Sequence, residues 1–142
     1  MTISKPLPRT FFNRPTLAVA RSLVGKYVVR ENGKGTVAGR IIEVEAYVGS
    51  QDKACHASKG RTARTEVLFG PPGISYVYLI YGMYYMLNVV TERAEFPAAV
   101  LIRAIEVDGG LIDGPGKLCR ELEIDRSLHR LDLTHGSQLW FE

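Results

Sequence analysis

Residues 76–85 read Y-V-Y-L-I-Y-G-M-Y-Y and hold five of the chain's seven tyrosines. Aromatic and β-branched residues in so short an apolar run favour an extended strand. A single glycine, Gly82, interrupts the run. Glycine lets a strand reverse tightly, so the stretch predicts a β-hairpin with tyrosines at and near its tip. Two uses of those rings stay open on this pattern alone. They can cover a hydrophobic core, or they can stack on a nucleobase and wedge between bases.

The 142 residues suit one domain with a hydrophobic core, spanning 1–142 with an extended arm over 1–10. A 46% hydrophobic and 23% charged composition is that of an ordinary globular chain. No apolar run reaches membrane-spanning length, and M-T-I-S-K-P-L-P lacks a signal-peptide core, so a cytoplasmic protein is expected, nucleoid-associated if prokaryotic. Cys55 and Cys119 read as reduced thiols, and two cysteines alone make no zinc site. Neither a metal nor a cofactor is expected. The net charge of +3 permits a polyanionic partner without demanding one.

Along the chain, Asn13 and Pro15 suit the start of a helix ending near Gly25. Strands are expected at Lys26 to Glu31, Thr36 to Val48, Tyr76 to Val90 (the tyrosine hairpin), Ala98 to Val107 and Leu139 to Phe141, with Asn32-Gly33 as a hairpin turn. Residues 49–73 read as a polar, basic loop with one short helix, and Gly114-Pro115-Gly116 leads into a helix from Lys117 to Glu123. The fold class is therefore α+β, a single domain with a mixed, largely antiparallel curved sheet, packed helices and a protruding tyrosine-bearing hairpin.

Alternation along Arg40 to Val48 puts Ile42, Val44, Ala46 and Val48 on a core face and Glu43, Glu45 and Tyr47 on the other. Glu43 reads as part of a solvated outer face. Arg103 is a lone charge in the apolar strand A-V-L-I-R-A-I-E-V, where an unpaired guanidinium is costly. A carboxylate such as Glu45 is its natural partner, as a structural ion pair or as a charged base kept ready for catalysis. His56 lies in a basic loop with Lys53, Lys59, Arg61 and Arg64, either a solvated run or a phosphate-tracking rim. His129 and His135 read as surface residues. Asn88 is an amide in an apolar strand and needs backbone or ligand partners. Lys117 stands at a helix start, beside amides that can meet phosphate. No phosphate-loop, dinucleotide or serine-hydrolase motif occurs.

The segments E-V-E-A-Y-V-G, the spaced His56, Y-V-Y-L-I-Y-G-M-Y-Y-M-L-N, L-I-R-A-I-E and D-G-P-G-K-L-C-R-E-L occur in this order. Together they closely resemble the alkyladenine (3-methyladenine) DNA glycosylase family, the type unrelated to helix-hairpin-helix glycosylases. The resemblance covers Phe11 to Trp140 and implies a monofunctional enzyme that flips damaged purines from double-stranded DNA and hydrolyses the N-glycosidic bond, acting as a monomer without membrane partners. It implies Glu45 as general base and Arg103 as its partner in holding the water. Tyr47, His56, Tyr78 and Asn88 would form the base pocket, and Tyr81 would intercalate. Met83 and Tyr84 would sit near the groove, with Arg61, Arg64 and Lys117 as further DNA contacts. Two departures are expected, a segment over 108–113 shorter than the family's and a basic strand-forming continuation missing after Glu142. A lesion-binding protein of the same fold with weak excision is the alternative they suggest.

Overall fold

The computed structural model describes residues 5–49 and 60–142. Seven strands form one sheet: β1 (Tyr27–Glu31), β2 (Thr36–Val48), β3 (Ser75–Ile80), β4 (Tyr84–Val90), β5 (Ala98–Val107), β6 (Gly110–Asp113) and β7 (Leu139–Phe141). Their order is β3-β4-β5-β2-β1-β7, with β6 also paired to β5. Every pairing among the described residues is antiparallel, so the parallel component of a mixed sheet is not found. Among the described residues three α-helices, α1 (Arg9–Phe12), α2 (Thr16–Leu23) and α3 (Pro115–Glu121), complete the α+β fold. None is long and apolar enough to cross a membrane.

The arm expected over 1–10 is corrected at its end, because Arg9 and Thr10 open α1. Its first four residues lie outside the described part. Within the 108–113 stretch, to which the sequence assigned no strand, Gly110–Asp113 folds back on β5 as β6.

Both faces of the sheet are covered. The main core gathers Leu23 of α2, Leu118 of α3, Leu87 and Val89 of β4, and Ile102 and Ile105 of β5. Strand β3 alternates as its pleat demands, sending Val77 into this core. Tyr76 turns the other way, into a smaller cluster with Val67, Leu68, Val90 and Ala99, against which Tyr47 and Tyr78 pack. The candidate site grows from this second face.

Strand β5 sets the position of Arg103. One of its edges runs along β2. Its other edge is shared between β4, which pairs with Ala99 to Leu101, and β6, which pairs with Ala104 to Val107. Arg103 sits between the two neighbours, and its carbonyl accepts from the Gly114 amide at 2.9 Å.

Opposite Arg103, the β2–β5 ladder shifts register between Ile41 and Glu43 and again between Glu43 and Val44. An irregularity of this kind inserts a residue without a partner and resets which face each side chain takes. Ile41 is therefore fully buried and Ile42 exposed, which corrects the expectation that Ile42 belongs to the core face. Beyond the shift the expected alternation holds, and Val44 and Ala46 pack on the main core.

Candidate active site

The two shifts turn Glu43 and Arg103 outward together, onto the face that carries Glu45 and Tyr47. Arg103 bridges both acids, with Nε 3.2 Å from Glu43 Oε1 and Nη1 3.1 Å from Glu45 Oε2. Glu43 is exposed, as expected, but it is not merely solvated: it holds one side of the guanidinium. The second oxygen of Glu45 is held as well. Tyr47, two residues along the strand and on the same face, donates its hydroxyl to Oε1 at 2.6 Å. Burial, followed by this bond and the charge of Glu45, pushes the Tyr47 phenol well above its ordinary value. It therefore stays a donor at neutral pH. Glu45 is thus fixed at both oxygens, and each oxygen keeps a lone pair to accept from a third donor.

Tyr78 stands beside this carboxylate, near enough for the charge of Glu45 to raise its phenol, although burial is the larger cause. Its ring lies 5.0 Å from that of buried Tyr76. Asn88 stands directly across the ladder from Tyr76. It is 2% exposed and donates to the Tyr76 carbonyl at 3.2 Å. The amide that the sequence left in search of partners therefore fixes the floor of the aromatic cluster.

The five clustered tyrosines divide into distinct environments. Tyr76 is buried, Tyr78 belongs to the site, and Tyr85 packs on the main core. Tyr84 lies against Gly116 of α3, where an added Cβ would come within 2.7 Å of its ring. Tyr81 alone projects, 87% exposed at the hairpin tip, with Met83 exposed beside it. The tip closes through the Met83 amide, which donates to the Ile80 carbonyl at 3.0 Å. Both residues between them, Tyr81 and Gly82, have positive φ (52° and 65°). Glycine takes that backbone freely, whereas tyrosine takes it at a cost.

The basic rim is uneven. Arg61 is ion-paired to Glu66 at 2.9 Å and to Glu95 at 2.8 Å, with its guanidinium over the Phe69 ring. Two carboxylates thus share its charge. Arg64 has no carboxylate partner among the described residues and lies over the Tyr78 ring, 5.2 Å from its centroid. Lys117 is exposed in the first turn of α3. His56, with Lys53, Cys55 and Lys59, falls outside the described residues.

Two features escaped the sequence reading. His129 is half-buried, not a surface residue. Its Nδ1 accepts from the Val77 amide of edge strand β3 at 3.0 Å, and burial depresses its pKa. Arg9 reaches across to Asp132 and to the Pro72 carbonyl, tying α1 to the loops that flank β3. Cys119 is a buried free thiol whose pKa burial pushes up to about 12, so it is inert. Among the described residues no group of acids, histidines and cysteines could hold a metal ion.

The site thus joins a carboxylate gripped at both oxygens to a half-open aromatic cluster. The chain belongs to the methylpurine-DNA glycosylase family, whose sequence profile matches residues 10–142, and is accordingly a DNA glycosylase of DNA repair. It is 52% identical to a protein of Methanocella arvoryzae over 96% of this chain and 76% of the relative. It is 53% identical to one of Legionella pneumophila strain Corby, covering 91% and 72% of the two chains. A Wolbachia protein from Brugia malayi is 55% identical, with 90% and 75% covered. All three carry the provisional name 3-methyladenine DNA glycosylase.

Proposed function

We propose that this chain, acting as a monomer, extrudes alkylated or deaminated purines from duplex DNA and hydrolyses their N-glycosidic bond with a water activated by Glu45, leaving an abasic site for base excision repair. The observation that carries the proposal is the double grip on Glu45, by Tyr47 on one oxygen and Arg103 on the other. A base within the stack is out of reach of any carboxylate, so extrusion must come first, at a cost of a few kcal/mol. In this reading Tyr81, exposed at the tip of a closed turn, enters the gap. Met83 and Tyr84 would flank it in the groove.

The extruded base stacks on the cluster of Tyr47 and Tyr78, with Asn88 bracing the floor; His56, outside the described residues, is assigned to the same pocket by the family resemblance. Departure of the purine leaves positive charge on the sugar. Glu45 stabilises that charge and takes a proton from the attacking water, as carboxylates do in glycoside hydrolysis. Ring-nitrogen alkylation makes the base cationic, hence a better leaving group and a better partner for tyrosine faces. Arg64 and Lys117 contribute the positive rim that meets phosphate, with Arg61, tied to Glu66 and Glu95, at its margin.

The test is release of the free base from a duplex carrying hypoxanthine or ethenoadenine, read by alkaline strand cleavage at the abasic site. Cleavage at the lesion in an enzyme-dependent manner is expected. Tight lesion binding with no cleavage at any lesion would instead identify a protein that holds damage without removing it.

A further inference from the structure

The face of Tyr78 is not bare in the protein alone. We propose that Arg64 is a gate on the base slot: its guanidinium stacks over Tyr78 until DNA phosphate draws it away, so that the slot opens more readily on a nucleic-acid backbone. The inference rests on the reading of Tyr78 as a stacking surface for the extruded base.

Three observations carry it. Arg64 lies over the Tyr78 ring at 5.2 Å from the centroid, within the range of a cation–π contact. A planar cation there occupies the kind of surface that a purine would use. Its neighbour Arg61 shows what a committed structural arginine looks like in this loop, held by Glu66 and Glu95 together. Arg64 has no carboxylate among the described residues to hold it, so among these residues an arriving phosphate competes with the ring contact alone. Finally, both sides of the contact are fixed. The backbone ahead of Arg64 is locked by Thr62 and buried Thr65, with the Thr62 amide donating to Thr65 Oγ1 at 2.9 Å and Thr65 Oγ1 donating to the Gly60 carbonyl at 3.1 Å. On the other side, the Tyr78 ring rests against buried Tyr76. Tyr78 packs on the buried cluster whereas Arg64 is exposed, so the guanidinium is the partner that moves if a base is to stack there.

Because every entering base displaces the same side chain, the gate raises the threshold for all bases alike and leaves the preference among lesions to the slot. It also separates a base presented by DNA from a free base, since only the former brings a phosphate for Arg64.

The experiment uses Arg64→Ala and Arg64→Gln in the full chain with two free-base probes, neutral 9-methyladenine and cationic 3,9-dimethyladeninium, and with a lesion duplex across a salt series. The gate predicts that both variants bind both free bases about two- to fivefold more tightly than wild type, the size of an exposed cation–π contact. It also predicts that the same variants bind duplex more weakly, with the salt slope reduced by about one. Free-base affinity equal to wild type in both variants overturns the gate, and so does an unchanged salt slope. Failure of the wild-type chain to release any base from duplex would overturn the glycosylase reading itself, independently of Arg64.

Discussion

Replacing Arg103 by glutamine separates two roles that the geometry alone does not rank, fastening the sheet and poising the base. The Arg103 side chain is 36% exposed, and its partners Glu43 and Glu45 are 58% and 43% exposed. Ion pairs so open to water are screened and contribute about 0.2–1 kcal/mol each. Loss of both, with two acids then sharing one face unopposed, therefore costs about 1–2 kcal/mol. In a domain of this size that is a fall in melting temperature of about 3–8 °C. The catalytic effect is of another order. Glu45 keeps only the Tyr47 bond on Oε1 and is free to rotate about it. Misplacement of a reacting group by an ångström or so costs about a hundredfold in rate. Single-turnover base release from an ethenoadenine duplex, measured beside a thermal melt, reads both quantities. Arg103→Gln should melt within about 8 °C of wild type and release base at least about a hundredfold more slowly. A variant that melts far lower yet retains wild-type release per folded molecule would refute the reasoning and leave Arg103 a fastener.

His129 makes native stability sensitive to acid. Its Nδ1 accepts the Val77 amide, which only the neutral ring can do, and it faces the Tyr76 ring with Arg130 as the neighbouring charge. Burial lowers its pKa in the folded protein, so the unfolded chain binds the proton more readily. The stabilisation is therefore present above the unfolded value of about 6.5 and is lost as pH falls through the lower folded value. Melting temperature followed from pH 8 towards 5 should decline across that window, and His129→Gln should flatten this part of the decline; a profile identical to wild type would remove His129 as its source. Tyr81 sets stability against function at one residue. Tyr81→Gly should raise the melting temperature, because the left-handed backbone costs tyrosine about 1 kcal/mol, and should weaken binding to lesion duplex. Unchanged lesion affinity in that variant would exclude the wedge.

Much of this architecture was legible in the residues. Thr36–Val48, Ala98–Val107 and Leu139–Phe141 fall where apolar runs and turn residues place them. The hairpin reverses at Gly82, and the pairing of Arg103 with Glu45 follows from the cost of leaving a guanidinium alone in an apolar strand. What stayed hidden depends on contacts distant in sequence. Helix α1 and strand β6 have four residues each and are too short to show a period, so tertiary pairing decides them. The face of Ile42 depends on two register shifts that no alternation pattern announces. Those same shifts bring Glu43 to Arg103. His129 looked like surface because its partner is a backbone amide on a strand more than fifty positions earlier.

The central claim is that Glu45, held by Tyr47 and Arg103, takes the proton of the attacking water. Glu45→Gln tests it most directly, because the amide keeps the shape and can still accept from Tyr47 but cannot act as a base. Lesion-duplex binding and base release should be measured on the same preparation. Retained binding, with release slowed by about a hundredfold or more, is the predicted result. Release at the wild-type rate would contradict the account.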